Sequence, residues 1–134
     1  MPTESERSEE ILIISGYSMR REALASAVWQ GGWEPRMSTT AAEGVKLLGE
    51  GTYAAVLCDD VLPDDDFRAV IAGVQRRGPG VPVIVVSRRD EWEPYIMALA
   101  AGATDYVAFP PYEGEVEQAL ANAIRLCRSC PNAA

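Results

Sequence analysis

The hydrophobic pattern of this chain switches period again and again, and that alternation restricts the fold more than any single motif. Short aliphatic runs stand at residues 11–14, at 54–58 and in "VPVIVVS" at 81–87. Their length and β-branching suit strands covered on both faces. Between them lie segments of helical spacing. "MRREALASAVWQGG" puts Leu24 and Val28 on one face and stops at Gly31-Gly32, while "STTAAEGVKLLGEG" offers a Ser/Thr start and a glycine stop. The predicted elements are β1 (11–14), α1 (19–32), β2 (33–38), α2 (38–51), β3 (54–58), α3 (67–74), β4 (81–87), α4 (91–103), β5 (105–109) and α5 (113–125). Pro35 confines β2 to an edge, and Pro94 is acceptable in the first turn of α4. Five strands alternating with five helices imply right-handed crossovers, a parallel sheet and helices on both of its faces. The expected class is α/β, a three-layer (α/β/α) sandwich formed by residues 10–126, between an acidic disordered tail at 1–9 and a short tail at 127–134.

Composition narrows the chemistry. The 134 residues are 48% apolar and 24% charged, with a net charge of −8, the profile of one globular domain. That charge argues against nucleic acid as a partner, since such binding depends on Lys and Arg neutralising phosphates. No apolar run spans a bilayer and no basic, apolar leader opens the chain, so the expectation is a cytoplasmic protein away from membranes. With no histidine at all and Lys46 as the only lysine, triads and metal centres built on histidine are excluded. Cys58, Cys127 and Cys130 read as reduced thiols. The pair in "CRSC" has C-x-x-C spacing, but without a second pair it cannot complete a tetrahedral zinc site.

In an open sheet of this kind ligands bind beyond the carboxyl ends of the strands, where strand order reverses. The ends of β1, β3, β4 and β5 read "IISGYS", "VLCDDVLP", "VVSRRD" and "YVAFPP". With "DDVLP", "PVIVVS" and "AAGATDYVAFP" in that order, the chain resembles the receiver domain of two-component response regulators, CheY-like modules that accept a phosphoryl group on an aspartate. The resemblance implies a flavodoxin-like (βα)5 fold with parallel sheet order 2-1-3-4-5 and no enzyme activity. It puts the phosphoacceptor position at Asp59, the sensing hydroxyl at Ser87 and the aromatic switch at Tyr106.

Two family positions depart from the pattern. Where the family has an acidic pair at the end of β1, this chain has Ser15 and Gly16; where it has a lysine before Pro110, this chain has Phe109. Phosphoryl transfer is mostly positioning and charge neutralisation, supplied in such a site by Mg2+ and a cation. One remaining carboxylate makes at most a weak Mg2+ site at Asp59, and Lys46 belongs to α2, away from the pocket. Asp60 should face away from Asp59 if the strand continues. Asp64, Asp65 and Asp66 are expected to cap α3. Arg88 or Arg89 is expected to reach Asp59 or Asp60 and neutralise the pocket without metal.

The resulting expectation is an atypical receiver with phosphorylation at Asp59 impaired or absent, acting as a stand-alone interaction module. Its partner would be a sensor histidine kinase or a downstream signalling protein, or a second copy through the α4-β5-α5 face, where Trp92, Tyr95 and Tyr112 are candidate contacts. Two alternatives stay open: a phosphorylatable receiver with weak Mg2+ binding, and a nucleotide or flavin phosphate binder that uses "SGYS" at the start of α1.

Overall fold

A computed structural model describes residues 9–76, 81–88, 100 and 102–129. Within them the aliphatic runs become five strands, β1 Glu10–Ile14, β2 Glu34–Ser38, β3 Ala55–Asp59, β4 Val83–Arg88 and β5 Asp105–Phe109. They form one parallel sheet in the order β2-β1-β3-β4-β5, the flavodoxin-like order that the receiver-domain resemblance implies. Helices α1 Ser18–Gln30, α2 Ala41–Glu50 and α3 Phe67–Arg76 lie in crossovers between strands, and α5 Glu115–Ser129 follows β5. The expected α4 falls almost wholly outside the described residues, and so do Arg89, Trp92, Tyr95, Cys130 and the acidic start of the chain. Among the described residues no helix is long and apolar enough to cross a membrane.

Because side chains alternate along a strand, each strand feeds two cores. Ile11, Ile13, Ala55, Leu57, Ile84, Val86 and Val107 face one side, where Leu24 and Val28 of α1 and Val116, Leu120 and Ile124 of α5 cover them. Leu12, Ile14, Val56, Cys58, Val83 and Val85 face the other side, under Leu48 of α2 and Phe67, Val70 and Ile71 of α3. The aliphatic runs are continuous for this reason: a parallel strand at the centre has no solvent face. The edge strand β2, "EPRMS", has mostly exposed side chains, and its Pro35 lies opposite Ile11. The register sets Ile14 beside Cys58, Asp59 beside Val86 and Val86 beside Val107. This brings the four strand ends together at one rim of the sheet.

Candidate functional site at the carboxyl ends of the strands

The alternation that divides the core also sorts the candidate residues. Ser15 continues the Ile11–Ile13 parity, Asp59 the Ala55–Leu57 parity and Phe109 the Val107 parity, so all three lie on the α1–α5 side. Asp60, Ser87 and Tyr106 carry the opposite parity and lie on the α2–α3 side. The rim is therefore two adjoining polar groups rather than one pocket.

On the α1–α5 side Asp59 is fully buried, 0% exposed. Its Oδ2 accepts a 2.6 Å hydrogen bond from the Ser15 hydroxyl, and its Oδ1 accepts one from Arg20 Nη1 at 3.1 Å, an ion pair that crosses from the first turn of α1. The guanidinium lies between two rings, its Cζ 5.1 Å from the Tyr17 centroid and 5.0 Å from that of Phe109, well within cation–π range. The next residue, Arg21, donates from Nη1 to the Ser15 carbonyl at 2.8 Å. Ser15 Oγ in turn accepts from the Tyr17 backbone N–H at 3.2 Å, satisfying a donor at the start of α1, where the Tyr17 side chain provides no cap. Burial raises the Asp59 pKa above its ordinary value, opposed by the Ser15 hydrogen bond and then by the Arg20 charge.

Arg20 is the residue that sequence reasoning passed over. Its signal was present in "SMRRE": two arginines in the first turn of a helix, with no acid there, oppose the helix dipole and call for a compensating partner. The cation at Asp59 thus comes from α1. Arg89 and the side chain of Arg88 lie outside the described residues.

On the other side the Ser87 hydroxyl donates to Asp60 Oδ2 at 2.8 Å, and Asp60 Oδ1 accepts from the Val61 N–H at 3.0 Å. Ser87 is thus bonded to the neighbour of Asp59, through a side chain rather than the local backbone. Tyr106 is half-buried against the cluster that contains Val85 and Val70. The Phe109–Pro110 peptide is cis.

The aspartate triplet requires a correction. Only Asp66 starts α3, its Oδ1 accepting from Arg68 N–H at 2.9 Å. Asp64 instead crosses to α2, where its two oxygens accept from the N–H groups of Ala41 at 2.8 Å and Ala42 at 3.0 Å. Those contacts hold its pKa below the ordinary carboxylate value. Asp65 turns onto the Asp66 N–H at 2.9 Å. The reason is topological: α2 and α3 cover the same face of the sheet, so the loop that leaves β3 passes over the N-terminus of α2 and finds its unsatisfied donors.

Mg2+ requires near-octahedral oxygen donors, at least one of them usually a free carboxylate. Both oxygens of Asp59 are engaged, the Ser15 carbonyl is taken by Arg21, and Gly16 has no side chain to offer. A Cβ on Gly16 would lie 2.8 Å from Pro63 Cγ, so the β3–α3 loop has closed over that position. Among the described residues no cluster of three or more His, Cys, Asp or Glu is placed to hold a metal. The residues present do not fit the ion.

No family model matches the chain. It is 31% identical over 101 residues to the transcriptional regulatory protein PmrA of Pectobacterium parmentieri, a match covering 75% of this chain and 46% of that protein. It is 30% identical over 101 residues to the transcriptional regulatory protein BasR of Escherichia coli strain K12, again covering 75% of this chain and 46% of the relative. The match thus spans about half the length of these curated relatives. Among solved structures it superposes on a response regulator receiver domain protein (CheY-like) from Methanospirillum hungatei JF-1 with a TM-score of 0.81 at 20% identity, covering 91% of this chain and 98% of that one. A receiver domain protein from Clostridium thermocellum gives 0.80 at 20% identity, covering 90% and 97%.

Proposed function

The chain is a receiver domain of the two-component response-regulator type, and from that premise we propose that it is an atypical receiver, a protein-interaction module in which phosphorylation at Asp59 is impaired or absent. The observation that carries this reading is the buried Asp59–Arg20 ion pair closed over by Tyr17 and Phe109. An acceptor carboxylate must present an oxygen in line with the donor phosphorus, and the developing charge needs compensation that the transition state can use. Here neither oxygen of Asp59 is presented. Its compensation is a guanidinium committed to the ground state, and interactions equal in ground and transition state do not accelerate transfer.

The substitutions act together. Phe109, at the family's lysine position, supplies a ring face for Arg20 in place of a mobile ammonium, and Ser15, at the acidic pair, donates a hydrogen bond where a metal ligand would accept a charge. Arginine suits this post because its planar cation both pairs with a carboxylate and stacks on aromatic faces. The partner on this reading is another protein of the signalling pathway, a sensor histidine kinase or a downstream component.

The small-ligand reading has less support. The cavity beside the β1–α1 loop, lined by Gly16, Tyr17, Val61, Leu62 and Pro63, holds about 220 Å³, below the roughly 300–1,000 Å³ of ordinary cofactor sites. The donors of "SGYS" are also turned to other tasks, the Ser15 hydroxyl to Asp59 and the Tyr17 N–H to Ser15.

Incubation with acetyl phosphate and Mg2+, read by intact mass, tests the proposal. The expected result is no stoichiometric gain of one phosphoryl group. A full gain that disappears in Asp59→Asn overturns it.

A further inference from the structure

The β1–α1 and β3–α3 loops meet in a groove lined by Gly16, Tyr17, Val61, the buried Leu62 and Pro63. Its volume of about 220 Å³ suits one large side chain rather than a free cofactor. Two of the lining residues are apolar groups left in water, Tyr17 at 59% and Val61 at 60% exposure. Exposed apolar surface concentrated around a concavity marks an interaction site more often than scattered exposure does. The groove is also preformed: Pro63 packs on the bare Gly16 Cα, the Leu62 N–H donates to the Asp65 carbonyl at 2.8 Å, and Val61 and Asp66 form a bridge. A rigid receptor loses little conformational entropy on binding.

Charge identifies the occupant. The β3–α3 loop carries Asp60, Asp64, Asp65 and Asp66. The cations in the first turn of α1 are turned inward, Arg20 onto Asp59 and Arg21 onto the Ser15 carbonyl. Arg68 approaches Asp66, at 3.9 Å, and among the described residues neither Asp60 nor Asp65 has a cationic partner. The loop that supplies Val61, Leu62 and Pro63 is therefore flanked by carboxylates on both sides of its apolar residues.

Building on the interaction-module reading, we infer that this groove docks a protein segment that inserts one aliphatic or aromatic side chain between Tyr17 and Val61 and sets flanking Lys or Arg residues against the Asp60–Asp66 loop. The anchor supplies affinity through buried apolar area, and the flanking cations supply register and rate of encounter. Because Tyr17 also covers the Arg20 guanidinium, the bound segment sits directly over the Asp59 ion pair.

The test uses the full chain labelled with 15N and three blocked seven-residue peptides: a central leucine between pairs of lysines, the same leucine between pairs of glutamates, and a central alanine between lysines. The lysine-flanked leucine peptide is expected to shift the amides of Gly16, Tyr17, Val61 and Leu62 in a saturable way. The other two peptides and the Val61→Asn chain should bind about tenfold more weakly, and salt at about 1 M, where the screening length is about 3 Å, should weaken the first peptide as well. Val61 is exposed, so its replacement leaves the fold intact, and the unperturbed amides of the sheet verify this. No shift, shifts confined to other surfaces, or binding indifferent to flanking charge overturns the inference. So does a concentration-dependent shift of the same amides without peptide, which makes a second copy the occupant. The two proposals fail separately: a phosphoryl gain at Asp59 removes the impaired-receiver reading while groove binding remains measurable, and a chain that takes no phosphoryl group and ignores the peptide removes the groove alone.

Discussion

Asp59 is held by opposing influences: burial disfavours its charge, while the Ser15 hydroxyl and the Arg20 guanidinium favour it. Burial is the largest, so the folded-state pKa lies above the ordinary 3.8. The sign of the consequence follows from proton linkage. Between the unfolded and the raised folded value the folded state binds more protons than the unfolded one, so stability falls as pH rises through that window and levels off above it. Asp59→Asn does not titrate. Urea denaturation of both chains across about pH 3 to 8 should show wild type losing stability relative to the variant from 3.8 upward, then a constant difference; a difference that grows in wild type's favour as pH rises contradicts the assignment. The receiver-domain resemblance marked Asp59 through "DDVLP". The sequence marked Arg20 only by the oddity of basic residues at a helix start, and that oddity does not say which of many carboxylates the arginine will meet.

At the scale of elements, the helices were legible in their spacing and the strands in their runs, while the caps were not. Asp64, Asp65 and Asp66 stand directly before α3, yet Asp64 serves α2 and only Asp66 serves α3. Adjacency along the chain suggested the nearest helix end, whereas the donors closest in space belonged to a helix that precedes the triplet by two elements. Helix α2 also shows why helix propensity alone misleads. Gly44 lies in its interior, where alanine would be favoured by about 1 kcal/mol. A Cβ there would collide with Ile14 Cδ1 and come within 2.8 Å of its Cγ1, and Ile14 is fully buried in β1. Overpacking of this kind costs about 1–3 kcal/mol, so Gly44→Ala should be net destabilising and lower the urea midpoint. An unchanged or raised midpoint would show that α2 can lift from the sheet without penalty.

For the whole molecule, the decisive feature is one sheet shared by two cores. Leu57 belongs to the α1–α5 cluster and its neighbours Val56 and Cys58 to the α2–α3 cluster, so neither layer has a strand of its own to retain. Leu57→Ala should cost about 2–5 kcal/mol, and circular dichroism and tryptophan fluorescence should report a single coincident transition. Separated transitions would mean that the layers unfold independently. What the sequence determined by itself was the periodicity: which segments alternate with which, that the sheet is parallel and buried, and that Asp59 and Asp60 stand on opposite faces; the faces of Ser15, Ser87, Tyr106 and Phe109 came from the register of the folded sheet. Asp59 and Asp60 were separable from their spacing alone, because a pleat sends consecutive side chains to opposite sides. What only the tertiary structure decided was pairing across distance. Ser15 meets Asp59 across 44 positions, Arg20 meets it across 39 and Ser87 meets Asp60 across 27. Local patterns specify a residue's face, since that depends on a few neighbouring dihedrals. They do not specify its partner, because that depends on how α1 and the β3–α3 loop pack over a sheet whose strands come from the whole length of the chain.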